Sequence, residues 1–298
     1  MTRYYLIPVL ALVLSLGACS KDSKSPDNGG GTPNDSTNNN PTMGSGKKGA
    51  DFSTNMQYGA WNADVLALKP FWFYTWGKEF PTGSPQNCEF VSMFWGANDV
   101  TTSNITAVKK LKDDGKIKYV LGFNEPNNGG QSNMTVSAAL KLWPQLESIG
   151  LPLGSPAADW PTNKWIYEFL DSCKVQNKRV DFIAVHIYNS LDENIYLNTI
   201  KEVYNKYKLP IWITEFAPAD WGAKTMANNP YTPAQVLAFM KSILPKLEAL
   251  DYVKRYAWFS GDPKSPQMWS SALIDVNGNL TELGKWYANY QPNTAIAK

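Results

Sequence analysis

The strongest constraint on the fold is an alternation of short apolar segments with amphipathic helical segments. Several short segments are apolar almost throughout, as "FIAV" and "IWIT" are, which is typical of parallel strands buried on both faces. Eight strands are predicted in this way, at Gln57–Trp61, Phe71–Trp76, Phe90–Trp95, Tyr119–Asn124, Leu151–Pro156, Asp181–Tyr188, Ile211–Phe216 and Arg255–Ser260.

Helices are predicted between these strands, at Thr101–Gly115, Val136–Ile149, Lys164–Val175, Asn194–Tyr207, Thr232–Leu250 and Leu280–Tyr290. The first two connections are less regular, since Ala63–Lys69 is short and Gly77–Glu89 reads mostly as loop. Eight strands that alternate with helices predict an α/β fold of the (β/α)8, or TIM, barrel type. An open doubly wound sheet is the alternative. It usually carries a glycine-rich phosphate turn after its first strand, and "GAWNAD" does not provide one.

The N-terminal segment has a different composition. Arg3 precedes the apolar run Leu6–Leu16, which is too short to cross a bilayer and predicts a signal peptide over residues 1–18. The following "LGAC" resembles the lipobox of bacterial lipoproteins, in which cleavage leaves an acylated Cys19; ordinary secretion with an incidental cysteine is the alternative. We expect residues 19–50 to form a flexible polar tether and residues 51–298 to form one globular domain.

Composition argues against several classes of function. The formal net charge is +2 with no long basic run, so a nucleic-acid surface is not expected. His186 is the single histidine, which argues against a zinc site, and no metal is expected. Cys88 and Cys173 could pair in an oxidising compartment. We expect a monomer that needs no cofactor and meets the membrane only through its N-terminal lipid, in the cell envelope on the periplasmic or surface face.

Two glutamates end predicted strands, Glu125 in "GFNEP" and Glu215 in "WITEF". Functional groups of a barrel gather at the carboxyl ends of its strands, and the fourth and seventh strands face each other across the mouth. A pair of carboxylates in one cleft is what glycoside hydrolysis requires, one as acid and the other as nucleophile or base. The alternative is that each glutamate is a surface residue or an ion-pair partner.

Aromatic residues concentrate near the same strand ends. Apolar faces of sugar rings stack on such side chains, so a sugar-binding cleft is predicted from Trp61, Tyr74, Trp76, Trp95, Tyr188 and Trp258. Core packing is the alternative explanation for each of them. Asn124 could bind a sugar 2-hydroxyl. His186 could hold Glu215, bind substrate, or be structural.

Four segments in order, "GFNEP", "LGSPA", "DFIAVHIY" and "WITEF", resemble glycoside hydrolase family 128 of clan A. The resemblance extends over nearly all of residues 56–290. It implies a retaining (β/α)8 enzyme that acts on β-1,3-glucan polysaccharide or oligosaccharide, with Glu125 as acid/base and Glu215 as nucleophile. We expect endo-cleavage.

Other functions remain open at this point. The chain could hydrolyse another β-glycan, such as mannan or xylan, or it could be a lipid-anchored glycan-binding protein without turnover. A Ser-His-Asp esterase is disfavoured, because His186 would be its only possible base and no G-x-S-x-G motif is present.

Overall fold

The computed structural model describes residues 46–291, which fall within one compact unit, Pro41–Lys298. The predicted signal peptide, Cys19 and most of the predicted tether lie outside these described residues. Among residues 46–291, no helix has the length and apolar character that crossing a membrane requires.

The strands are β1 (Lys48–Asp51), β2 (Trp72–Tyr74), β3 (Glu89–Phe90), β4 (Ser92–Met93), β5 (Val120–Leu121), β6 (Ile183–Asn189), β7 (Ile211–Pro218) and β8 (Val253–Phe259). The helices are α1 (Trp61–Leu68), α2 (Thr102–Asp113), α3 (Val136–Glu147), α4 (Lys164–Val175), α5 (Glu193–Tyr207), α6 (Pro233–Ala249) and α7 (Glu282–Asn289). Several helices begin at a threonine whose hydroxyl accepts an orphan N–H of the first turn, as Thr101 does from Asn104.

The strands close into a barrel of eight positions. Six of the strands form one parallel sheet in the order β3-β2-β1-β8-β7-β6, and β4 pairs with β5. Since only Val91 separates β3 from β4, these two make a single position. The fifth position is the segment around Leu153 and Gly154, which bridges in parallel to Val120 on one side and to Phe182 on the other. The prediction of a (β/α)8 barrel is therefore confirmed.

The predicted first strand, Gln57–Trp61, is wrong. Trp61 instead begins α1, and the first strand is Lys48–Asp51, of which all but Asp51 lies inside the stretch expected to be tether. The polar sequence "KKGAD" hides this strand, because two lysines in and beside a buried strand look unfavourable until their partners are known.

Those two lysines cap the ends of helices. Nζ of Lys47 donates to the carbonyl oxygens of Leu247, Glu248 and Leu250 at the end of α6, at 3.3, 2.7 and 2.9 Å. Nζ of the fully buried Lys48 donates to three more at the ends of α1 and α7, those of Leu68, Tyr287 and Tyr290. The last carbonyls of a helix lack intrahelical partners, so Lys48 in β1 and Lys47 just before it link the ends of three helices, while β1 pairs with two strands.

Two apolar clusters make up the core. The larger one lies between the strands and the helices, and the smaller one fills the inside of the barrel around Trp72, Phe182 and Trp212. The rings of Phe182 and Trp212 stack with centroids 4.0 Å apart. Cys88 and Cys173 are both buried and free rather than paired with each other. Because the barrel interior is filled, the space for a ligand lies at the mouth.

Candidate active site

The structure brings the two predicted glutamates together. Glu125 follows β5 and Glu215 lies within β7, and both are largely buried, at 8% and 5% exposure. One carboxylate oxygen of Glu125 lies within 4.8 Å of one of Glu215. Two carboxyl groups that lie so near each other can both act on a single bond.

The backbone at Glu125 is unusual. Its φ is +39°, in the left-handed region that residues other than glycine rarely adopt, and this costs about 1–3 kcal/mol. The conformation is held by the N–H of Glu125, which donates to the carbonyl of Ala157 at 2.7 Å. Trp76 also has a positive φ, +56°. Strain of this kind persists where the surrounding fold over-determines a residue's position, as at a functional site.

His186 lies between the two carboxylates. Its Nδ1 is 3.0 Å from Oε1 of Glu125, and its Nε2 is 3.4 Å from Oε1 of Glu215. A register shift in the pairing of β6 with β7, after Val185, places His186 opposite Glu215, and such irregularities re-aim side chains. Burial acts to lower the pKa of His186, but the charge of Glu215, together with the hydrogen bond and charge of Glu125, raises it above the ordinary value.

Ligand atoms of Glu125, His186 and Glu215 all lie within 4.8 Å of one another, a spacing that could suggest a metal site. However, the carboxylates face opposite nitrogens of the imidazole ring. An ion on one nitrogen would meet only the carboxylate on that side, so the three cannot ligate one ion without rearrangement. The geometry is that of a triad in which His186 is hydrogen-bonded to Glu125 through Nδ1 and lies close to Glu215 through Nε2.

Three neutral donors fix the carboxylate of Glu215. Oε1 accepts from the hydroxyl of Tyr74 at 3.0 Å and from Nε1 of Trp76 at 2.8 Å, and Oε2 accepts from the hydroxyl of Tyr188 at 2.5 Å. Burial first, and the charge of Glu215 second, raise the pKa of both tyrosines well above the ordinary value, so both stay protonated donors. Glu215 is therefore held as an oriented acceptor, an environment that suits a negatively charged nucleophile.

The triad opens into a cleft of about 820 Å3, within the usual range for ligand sites. Its lining includes the predicted residues Trp76, Trp95, Asn124, Glu125, Tyr188 and Glu215. Asn124 donates from Nδ2 to Gln131 at 3.1 Å, and its Oδ1 has no partner among the described residues. The cleft thus combines aromatic surfaces with free polar atoms, as a carbohydrate requires.

Three predicted aromatic residues do not face this cleft. Tyr74 is fully buried beneath it, and its hydroxyl meets Glu215 and the carbonyl of Thr214. Trp61 begins α1 and packs against Phe73, with ring centroids 5.8 Å apart. Trp258 is fully buried, and its Nε1 donates to the carbonyl of Ser271 at 3.0 Å.

Trp258 lies in the core rather than in the cleft because of its position in β8. Successive side chains of a strand point to opposite faces, and in β8 it is Phe259, not Trp258, that reaches the mouth. Trp258 instead packs against Phe216 in the larger cluster, with centroids 5.2 Å apart.

Other lining residues were missed by the sequence analysis, namely Asn128, Gln131, Asp159, Trp160, Trp221, Phe259 and Met268. A signal for two of them existed. The tripeptide Ala-Asp-Trp ends at Trp160 after the fifth barrel position and again at Trp221 after the seventh. Trp221 is 58% exposed, which for so large an aromatic side chain beside a cleft indicates a binding surface.

Comparisons with known proteins identify the family of the chain. The model of the family described as "Glycosyl hydrolase catalytic core" matches residues 54–287. The alkali-sensitive linkage protein 1 of Schizosaccharomyces pombe is 30% identical over 228 residues, or 72% of this chain. The chain spans only 39% of the length of that relative.

Solved structures point the same way. A family 128 (subgroup I) endo-β-1,3-glucanase from Amycolatopsis mediterranei, crystallised with laminaripentaose, is 31% identical with a TM-score of 0.70. That match covers 81% of this chain and 98% of the other. A family 128 (subgroup V) exo-β-1,3-glucanase from Cryptococcus neoformans has a TM-score of 0.65 over 82% of this chain and 98% of the other, but at 24% identity it shares the fold alone. The chain belongs to the glycosyl hydrolase catalytic core family and is a glycoside hydrolase of the family 128 type.

Proposed function

We propose that this glycoside hydrolase cleaves β-1,3-glucan with retention of configuration, with Glu125 as acid/base and Glu215 as nucleophile. The observation that carries the proposal is the approach of the two carboxylates to within 4.8 Å. Retaining enzymes hold them about 5–5.5 Å apart, whereas inverting enzymes need about 6.5–9.5 Å to admit a water molecule between acid and base.

The roles follow from the surroundings of each carboxylate. Glu215, held by three donors, attacks the anomeric carbon while Glu125 gives its proton to the departing glycosidic oxygen. A covalent glycosyl intermediate forms on Glu215, and Glu125 then takes a proton from the water that hydrolyses it. His186 touches both carboxylates and positions them for these steps.

The choice of β-1,3-glucan rests on the family and on the shape of the site. A similar structure was crystallised with laminaripentaose. Aromatic side chains flank the carboxylate pair on both sides, Trp95 and Trp160 next to the strand of Glu125 and Trp221 and Phe259 next to that of Glu215. A cleft that continues past the reacting bond in both directions admits an internal stretch of chain, which supports endo-cleavage.

A substrate screen tests the proposal. Protein lacking residues 1–19 is incubated with β-1,3-, β-1,4- and mixed-linkage glucans, mannan and xylan, and the products are separated by length. We expect a ladder of short oligosaccharides from β-1,3-glucan early in the reaction. Glucose alone at first would mean exo-cleavage. Activity only on mannan or xylan would reassign the substrate, and binding without release of reducing sugar would indicate a non-catalytic glycan-binding protein.

We also propose that Cys19 is acylated and attaches the domain outside the cytoplasm. The support is the lipobox-like "LGAC" after a short apolar run. In a bacterial host, the full chain should take up labelled palmitate and sediment with membranes, and Cys19→Ala should do neither. A variant that stays membrane-bound and normally processed would contradict the attachment.

A further inference from the structure

The two ends of the barrel carry opposite charge. Its strand positions all run parallel, so they begin at one end, here called the bottom face, and finish at the mouth, where the cleft lies. The bottom face consists of the loops that lead from a helix into a strand, residues 69–71, 114–119, 148–152, 176–182, 208–210 and 250–252. These loops hold three acidic residues, Asp114, Asp181 and Asp251, and six basic ones, Lys69, Lys116, Lys118, Lys178, Arg179 and Lys208.

The mouth has the opposite balance. Its loops lead from a strand into a helix, at residues 52–60, 94–101, 122–135, 155–163, 190–192, 219–232 and 260–281. They hold two lysines, Lys224 and Lys264, against seven aspartates and glutamates, among them the exposed Asp192 and Asp262. A charge distribution of this kind orients a molecule in the field of a charged surface.

The charge that is free on the bottom face is positive. Two of its three acidic residues are already paired, Asp181 with Arg179 and Asp114 with Lys110 of α2. Four of its lysines are exposed and take part in no ion pair among residues 46–291, namely Lys69, Lys116, Lys178 and Lys208.

Helix ends account for only part of this charge. The macrodipole of a helix favours basic residues near its C-terminus, but the effect falls off within the last turn. Lys116 and Lys118 lie three and five residues beyond the end of α2, and Lys178 lies three residues beyond the end of α4. Stabilisation of a helix end therefore does not explain these three lysines.

The chain toward Cys19 leaves the domain at the same face. β1 begins at Lys48, and Nζ of Lys47 donates to the end of α6 there. Residues 20–45 span at most about 90 Å, at about 3.3–3.6 Å for each residue. Length alone would thus let either end of the barrel approach a surface that holds Cys19, whereas the charge and the point of exit both favour the bottom face.

We propose that the bottom face lies against anionic lipid headgroups and that the mouth points away from the membrane. The inference extends the proposed attachment at Cys19 and does not depend on the substrate. Each basic residue near an anionic bilayer raises partitioning about 5-fold, and it does so only within about 8–10 Å at physiological ionic strength. The same surface repels the acidic mouth. A polysaccharide then reaches the cleft from the side opposite the lipid.

The first test separates the bottom face from the lipid anchor. Protein lacking residues 1–19 keeps the whole compact unit Pro41–Lys298 but cannot be acylated at Cys19. It is sedimented at rising salt concentration with vesicles of phosphatidylcholine alone and with vesicles that contain about one third phosphatidylglycerol. The bottom-face variant combines four substitutions, Lys69→Gln, Lys116→Gln, Lys178→Gln and Lys208→Gln.

A matched control removes the same charge elsewhere. Lys141, Lys201 and Lys241 are exposed within α3, α5 and α6, and Lys224 is exposed at the mouth. The control variant replaces these four lysines by glutamine. Thermal unfolding checks that both variants fold, and the salt dependence of the wild-type protein tests the electrostatic attraction without any substitution.

The wild-type protein should bind the vesicles that contain phosphatidylglycerol, more weakly as salt rises, and should not bind phosphatidylcholine. The bottom-face variant should bind at least about tenfold more weakly, since four contributions of about 5-fold are removed. The control variant should stay within about twofold of the wild-type protein, because its lysines lie beyond the reach of the surface.

Three results would overturn the proposal. Equal losses in both variants would show a general attraction of charge rather than a binding face. A wild-type protein that binds neither kind of vesicle would have no such face. Stronger binding to soluble polygalacturonate than to the vesicles would assign the bottom face to an acidic polysaccharide instead.

The second test measures orientation in the acylated full chain. A fluorescent maleimide is attached to Gln176→Cys in a bottom loop or to Ala227→Cys at the mouth, both at exposed positions, while Cys88 and Cys173 are buried. Energy transfer to acceptor-labelled lipid should be larger from position 176. Equal or larger transfer from position 227 would overturn the orientation. If the full chain is not acylated, the attachment at Cys19 fails, and the same two dyes on protein lacking residues 1–19, at low salt, decide the orientation.

Discussion

Nδ1 of His186 lies 3.0 Å from Oε1 of Glu125, although the two residues are 61 positions apart in sequence. The imidazole is fully buried and meets Glu215 on its other edge. A buried side chain that lies against two carboxylates, at 3.0 and 3.4 Å, acts on substrate through them, by orienting them and by its charge. His186 is therefore best described as a positioning residue.

The charge of His186 makes stability depend on pH in a definite direction. Its pKa in the folded protein is raised above the value of about 6.5 expected in the unfolded chain. The stabilisation is therefore fully present below about pH 6.5 and is lost as pH rises through the raised folded value. Besides the two glutamates, Asp159 also acts in this direction.

The check is denaturant unfolding of the wild-type protein and His186→Gln between pH 6 and pH 9. The difference in free energy of unfolding should shrink as pH rises. His186 is the only histidine, so no other imidazole contributes in this range. A difference that stays constant with pH would show that His186 does not carry the charge assigned to it.

Replacement of the two glutamates should separate their roles. General-acid assistance is worth about 10²–10⁴-fold, so Glu125→Ala should lose most activity on polymeric substrate and least on aryl glycosides, whose leaving groups barely need a proton. Glu215→Ala should be nearly inactive on both. NMR of the first-formed product anomer checks retention directly, and an inverted product would refute the mechanism.

Replacement by alanine should affect stability at Trp258 and oligosaccharide binding at Trp221. Trp258 is fully buried, so Trp258→Ala should lower the free energy of unfolding by about 3–5 kcal/mol. Trp221 is 58% exposed at the cleft, so Trp221→Ala should leave stability within about 0.5 kcal/mol. It should weaken oligosaccharide binding instead.

Stacking of a sugar ring on Trp221 should contribute about 1–3 kcal/mol, by analogy with aromatic side chains that stack on nucleic-acid bases. This corresponds to about 5- to 150-fold in affinity. Both quantities can be measured in a Glu125→Ala background, by thermal unfolding and by titration calorimetry. A loss of stability in Trp221→Ala without a loss of binding would contradict its assignment to the cleft.

The N-terminal boundary of the domain should be sharp. A chain that begins at Asp51 lacks most of β1 together with the six lysine hydrogen bonds to the ends of α1, α6 and α7. Even at about 0.5–1.5 kcal/mol for each bond, six of them are comparable with the stability of a whole domain, so this chain should not fold cooperatively. A chain that begins at Pro41 should fold.

Single substitutions refine the boundary test. Lys48→Met keeps the chain length but removes three of these bonds, and its melting temperature should fall by several degrees. Lys110→Met is the matched control, because Lys110 is exposed and pairs only with Asp114 on the surface of α2. Equal melting temperatures for the two variants would contradict the capping role of Lys48.

The pair of carboxylates at the cleft could be predicted from the sequence because its signals are local. Glu125 and Glu215 each end a short apolar strand inside a recognisable segment, and the carboxyl ends of parallel strands share one face of a barrel. Alternation of strands and helices was likewise enough for the fold. Neither inference needed to know which distant residues touch.

β1 could not be found in this way. Lys48 is tolerable in this buried strand only because helix ends supply carbonyl acceptors, two of which, those of Tyr287 and Tyr290, lie more than two hundred positions further along the chain. Those acceptors exist only once the barrel has closed.

Tertiary structure also decided which aromatic side chains point into the cleft and which into the core. Trp258 and Phe259 are adjacent in sequence, yet strand register sends the first into the core and the second to the cleft. Residue type alone predicts burial equally for Trp258 and Phe259. The sequence by itself determined the barrel and the two carboxylates, since periodicity and strand ends encode them. Which aromatic side chains face the sugar, and that His186 joins the glutamates, depended on contacts that only the closed barrel creates.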